Sequence, residues 1–131
     1  ISNAQFLQSL CPSTVTVENE NDYLKEVRQV ESLTESGARI GMTGGGLVGY
    51  FITDRTVVNL DGLINSRTYF EAMQKGTARD FLDAIPLNYV FGQEYVVTES
   101  DPYKGILKDR LERIGFIRGF EGSTLFKYVL H

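Results

Sequence analysis

Between Arg39 and Ser66 the chain reads RIGMTGGGLVGYFITDRTVVNLDGLINS. Two short runs of apolar and β-branched residues flank a glycine cluster, and an Asp-Gly turn closes the second run. Strand propensity on both sides of so short a segment leaves room for only one or two helical turns between them. A strand, a glycine turn, a brief helix and a second strand form an α/β unit, and the rest of the chain has to build around it.

Gly44, Gly46 and Gly49 spell G-x-G-x-x-G after a predicted strand, and Asp61 closes the next strand. Those are the letters of a dinucleotide fingerprint, in which glycines let the backbone approach a pyrophosphate and an acid holds a ribose hydroxyl. The spacing is wrong. The unit falls short of the about 30 residues of a dinucleotide βαβ unit, and the acid arrives well before the usual ~20 residues. No Lys-Ser/Thr pair follows the glycines, which excludes a Walker loop. The reading that fits is a tight turn with positive φ angles and close backbone packing. Nucleotide or S-adenosyl-methionine binding by Gly44, Gly46, Gly49 and Asp61 is the rival.

Upstream, residues 1–12 read as a lead-in whose Ser2-Asn3-Ala4 resembles a tag-cleavage scar, and one domain is expected over 13–131. Ser13–Val17 alternates as an edge strand would. An acidic start with Asn19 or Asn21 as cap opens a helix, with Tyr23, Leu24, Val27, Val30 and Leu33 as its apolar stripe and Gly37 as its stop. Ala38–Thr43 and Thr56–Leu60 are strands, the second suited to the middle of a sheet. Ser66 caps a helix carrying Tyr69, Phe70 and Met73. Thr77 to Asp80 has the form of a capping box opening another, which Pro86 ends. Leu87–Phe91 is a third strand, and Tyr95–Thr98 continues it or pairs with it. Asp101-Pro102 opens a helix with Ile106, Leu107, Leu111 and Ile114 as its buried stripe. Phe116–Phe120 and Leu125–Leu130 form a hairpin. The expected fold is α/β: a single layered domain with a mixed, mostly parallel, Rossmann-like sheet ending in an antiparallel hairpin.

Composition removes several kinds of chemistry. With 131 residues, 42% hydrophobic and 23% charged, the chain suits one globular core. A net charge of −4 and the lack of a Lys/Arg-rich face exclude a nucleic-acid surface. No apolar run approaches the roughly 20 residues of a membrane span, and no basic leader precedes one. The one histidine is the last residue, His131, and the one cysteine is Cys11. A Ser-His-Asp triad, a Cys-His pair, a histidine metal site and an internal disulfide therefore drop out, and no cofactor is expected.

The polar residues worth following are Asp61, at a strand's carboxyl end where open α/β sheets hold ligands, and Asn65 and Ser66 just beyond it. Each is equally good turn or cap chemistry. Asp54 and Asp61 as a catalytic pair are disfavoured, because one strand separates them by roughly 20 Å. Tyr50, beside the glycine turn, is the aromatic placed to stack on a sugar. Tyr50, Asp61, Asn65 and Ser66 are thus the candidate ligand-binding set, and a sugar-binding module is the third reading.

The run from Ala38 to Phe91 resembles the extracytoplasmic C-terminal region of polytopic membrane glycosyltransferases, the dolichyl-phosphate-mannose or arabinose-transferase-like enzymes and their bacterial relatives. The residues that carry the likeness are Arg39-Ile-Gly41, Gly44 to Gly46, Gly49-Tyr50-Phe51, Val57-Val-Asn-Leu-Asp-Gly-Leu63 with Asn65-Ser66, and Leu87-Asn-Tyr-Val90. The resemblance implies a domain outside the membrane, periplasmic or on the outer face, tethered to the spanning part of the same polypeptide. It implies that the catalytic carboxylates lie elsewhere, between spanning helices. The expected role is that of a non-catalytic accessory domain, with a lipid-linked sugar or an acceptor as its contact.

Overall fold

The computed structural model describes residues 17–44, 46–119 and 122–130. The expected strand at 13–16, Cys11, the lead-in and His131 lie outside the described residues. The elements are α1 (Val17–Leu33), β1 (Arg39–Met42), α2 (Gly46–Phe51), β2 (Thr56–Asn59), α3 (Leu60–Ile64), α4 (Arg67–Gln74) and α5 (Ala78–Asp83). Then follow β3 (Tyr89–Gly92), α6 (Glu94–Glu99), α7 (Tyr103–Leu107), a 3₁₀ turn (Lys108–Arg110), β4 (Leu111–Ile117) and β5 (Ser123–Tyr128).

The five strands form one mixed sheet in the order β2-β1-β3-β5-β4. β1 pairs in parallel with β2 (Ile40 opposite Val57) and with β3 (Ile40 opposite Tyr89). β5 runs antiparallel to both β3 and β4. The parallel part followed by a closing hairpin is the α/β fold expected from the order of the elements.

The pleat divides the core in two. Ile40, Met42, Phe91 and Leu125 point to one face, where Val27 and Val30 of α1 and Val48 of α2 cover them. Val90, Phe126 and Tyr128 point to the other, against Leu60, Tyr69, Leu82, Val97, Ile106 and Leu107 from the five later helices. Adjacent residues of one strand thus serve opposite layers, as a period of two requires. Burying each of these apolar side chains is worth roughly 1.5–3 kcal/mol, so both layers are needed to hold the sheet.

Several expected details differ. β2 is an edge strand, half-exposed along its length, and Leu60 belongs to α3 rather than to it. A β-branched run signals a strand but not its place in the sheet. α1 begins at Val17, so Asn19 and Asn21 fall inside it. Leu24 and Leu33 lie exposed, while Val27 and Val30 carry the packing of the helix against the sheet. In α4 the buried residues are Tyr69 and Ala72, with Phe70 and Met73 exposed. Thr77 caps nothing with its side chain; its hydroxyl donates to the Ala72 carbonyl at 3.3 Å. Pro102, after a cis Asp101–Pro102 bond, is the N-cap of α7 rather than its first residue.

Two larger differences concern the last third of the chain. Tyr95–Thr98 is helical, in α6, with Val97 fully buried. The helix expected to run from Pro102 to Ile114 stops at Leu107, and Leu111 opens β4 instead. Pairing with β5 takes those residues into the sheet, and a register shift between Arg113 and Gly115 leaves Ile114 exposed.

Candidate functional site

The carboxyl ends of β1 and β3 lie side by side, and the connections leaving them diverge. After β1 the chain goes by α2 to β2 on one side; β3 stands on the other. That divergence opens the crevice in which α/β sheets receive ligands. Here it is a hollow of about 280 Å³ lined by Thr43, Gly44, Asp61, Gln93, Val96 and Ser123. Thr43 and Gly44 follow β1, Asp61 follows β2, and Gln93 and Val96 follow β3. Ser123 begins β5, whose antiparallel course brings its start to the same edge.

Asp61 is the organising group. Its Oδ2 accepts the Gly44 N–H at 2.6 Å. Its Oδ1 accepts the hydroxyl of Tyr103, a buried residue of α7. One carboxylate thereby joins the glycine turn, the first turn of α3, and α7. Burial, reinforced by the adjacent carboxylate, holds the Tyr103 hydroxyl well above the ordinary phenol range, so it remains a donor at any physiological pH.

The glycine turn has the geometry that only glycine adopts cheaply. Gly44 has φ +66° and Gly46 φ +26°, and the Gly46 N–H donates back to the Gly44 carbonyl. The following helix, α2, is six residues long. The Gly44 N–H that would face a phosphate is already held by Asp61. Gly49 packs inward instead: a Cβ there would meet Met42 and Val57.

The run Asn59–Ser66 uses its polar groups on its own chain. Asn59 caps α3, its side chain accepting from the Gly62 N–H at 3.1 Å. The Asn65 amide donates to the Asp61 carbonyl at 2.9 Å. The Ser66 hydroxyl accepts from the Tyr69 N–H at 3.1 Å and donates to the Leu63 carbonyl at 2.6 Å. Leu60, 1% exposed, packs over Gly41, where a Cβ would come within 3.1 Å of its side chain. The two halves of the Arg39–Ser66 run are therefore matched twice, Gly41 with Leu60 and Gly44 with Asp61.

Of the residues singled out in the sequence, Asp61 and Gly44 line the crevice. Asn65, Ser66, Gly46, Gly49 and Tyr50 are not among its lining residues. Tyr50 is 81% exposed on α2, edge-on to Phe51 with ring centroids 5.0 Å apart. Asp54 precedes β2 and Asp61 follows it, so the two acids stand at opposite ends of that strand. Thr43, Gln93, Val96, Ser123 and Tyr103 were not anticipated. Thr43 and Gln93 directly follow the two neighbouring parallel strands, a position that marks them once the strand order is known.

A second hollow, of about 340 Å³, lies between α4 and α5 over Ala72 and Phe81, away from the strand ends. Among the described residues no cluster of three or more His, Cys, Asp or Glu could hold a metal ion, and no helix is long and apolar enough to cross a membrane. No protein-family model matches the chain, and no curated protein or solved structure matches it either.

Proposed function

We propose that this chain is a non-catalytic accessory domain of a membrane glycosyltransferase-like protein, placed outside the membrane, where it contacts a lipid-linked sugar or an acceptor. The observation that carries the non-catalytic half is the closure of the glycine turn on Asp61. The groups that a cofactor would need, the Gly44 N–H and an acid after the second strand, already satisfy each other. The resemblance of Ala38–Phe91 to the exported C-terminal region of such transferases supports the parent protein. The matched pairs Gly41–Leu60 and Gly44–Asp61 give that run a structural reason to keep its letters.

The test has two parts. Thermal denaturation in the presence of NAD, S-adenosyl-methionine or ATP is expected to show no dose-dependent rise in Tm. A clear rise with any of them favours the nucleotide-binding rival instead. The complete reading frame is expected to encode many spanning helices ahead of this domain, and a frame without them overturns the assignment to a transferase.

A further inference from the structure

We infer that the crevice at the carboxyl ends of β1 and β3 is a binding site for one neutral sugar ring. Apart from Asp61, its polar side chains are ones that the fold does not use. Among the described residues, the Thr43 hydroxyl, the Gln93 side-chain amide and the Ser123 hydroxyl have no hydrogen-bond partner, and all three residues line one hollow. Ser123 is buried apart from the surface it contributes to this hollow's edge, being 6% exposed and among the lining residues. The site of Gly92 is shaped for this wall. A Cβ at Gly92 would collide with the Thr43 hydroxyl and press on Val97, so the bare glycine leaves Thr43 room at the mouth.

The character of the wall selects the ligand. Of the described lining residues only Asp61 is charged, and its charge is negative. A phosphate or carboxylate placed there would meet that charge without a Lys or Arg to offset it. Asp61 accepts one N–H, from Gly44, and one O–H, from Tyr103, and each carboxylate oxygen keeps acceptor capacity for a further donor. Hydroxyls and an amide both donate and accept. Sugar hydroxyls match that pattern, whereas an ammonium only donates and would leave the Gln93 amide hydrogens unmet. Val96 adds an apolar patch for ring C–H groups. The volume, about 280 Å³, sits at the low end of small-ligand pockets and suits a single ring rather than a nucleotide.

The inference rests on the accessory-domain reading only for where the sugar comes from; the crevice itself is judged separately. The experiment is a ¹H–¹⁵N NMR titration of this chain with methyl glycosides of glucose, mannose and galactose. Saturable shifts of the Gly44, Gln93 and Ser123 amides are expected for at least one of them, with a dissociation constant on the order of millimolar. The Gln93→Ala and Ser123→Ala variants, both checked for an unchanged fold by their spectra, should each weaken binding by roughly tenfold. Arg67→Ala, at an exposed residue of α4 outside the crevice lining, should leave it unchanged. The methyl glycoside should bind more tightly than the corresponding hexose 1-phosphate. No saturable shift with any glycoside overturns the inference. So does equal binding by the two crevice variants, or preference for the phosphate or for ethanolamine. None of these outcomes bears on whether spanning helices precede the domain.

Discussion

Asp61 offers the sharpest stability experiment, because one carboxylate joins three segments. In Asp61→Ala the Gly44 N–H loses its acceptor at 2.6 Å and the Tyr103 hydroxyl, inside the core, loses its partner. Hydrogen bonds to a charged acceptor contribute about 1.5–3 kcal/mol each, and a buried donor left unsatisfied costs about 1–3 kcal/mol. Asp61 is itself half-exposed and water can reach the vacated space, so the lower ends apply, and the expected loss is about 2–3 kcal/mol. With a urea m-value of about 1.5 kcal/mol/M for a domain of this size, the midpoint should fall by about 1.3–2 M. Tyr103→Phe removes only the hydroxyl and should cost about 1–1.5 kcal/mol. In the double variant the unsatisfied hydroxyl is absent, so the two losses should fall short of additivity by about 1 kcal/mol. Far-ultraviolet circular dichroism in urea measures all four corners of the cycle. Additive losses, or an Asp61→Ala midpoint equal to that of the wild type, would refute the brace. Asp61→Asn is a useful fifth point, since an amide turns an N–H toward one of two donors and should recover less than half of the loss.

A second acid gives a pH signature. Asp83 accepts N–H bonds from Nε and Nη2 of Arg110 at 2.6 Å and the Tyr128 hydroxyl at 2.8 Å, tying α5 to the hairpin. The Arg110 bonds, outweighing burial and helped by Tyr128, hold its carboxyl below the usual range. A carboxyl depressed in the folded state stabilises the fold above its unfolded pKa of about 3.9. That contribution is lost as the pH falls through the lower, folded value. Wild type should therefore lose stability more steeply than Asp83→Asn below about pH 4, and equal slopes in acid urea titrations would contradict it. At Gly92, Ala substitution should lower Tm by several degrees, since Thr43 and Val97 must shift, and an unchanged Tm would mean the Thr43 hydroxyl turns away at no cost.

How much of this was legible depends on whether a residue acts within its own segment or across the sheet. Ser66 announced its helix because a cap works over three residues, and its hydroxyl does meet the Tyr69 N–H. The glycine turn announced itself for the same reason: positive φ at Gly44 is a local demand. Val96, Val97 and Thr98 misled because their β-branched character speaks for a strand, while packing made them helical. Val97 is fully buried beneath the sheet, and the Thr98 hydroxyl bonds back to the Glu94 carbonyl at 2.8 Å. Leu111 and Ile114 kept helical spacing with Ile106 and Leu107, yet the ladder to β5 took them, and the bulge that turned Ile114 outward is a property of the pair of strands. The crevice belongs wholly to this second kind. Thr43 and Ser123 are eighty residues apart in sequence and meet only because β5 runs antiparallel to β3. Asp61 stands between the two cases. Its position after a strand marked it as a candidate, but its role required Tyr103, which no local pattern connects to it. A local signal could suggest a cofactor cradle at Gly44–Gly49. Only the fold shows that the cradle is closed by its own acid, and that the open polar wall is assembled beside it from the ends of β1, β3 and β5.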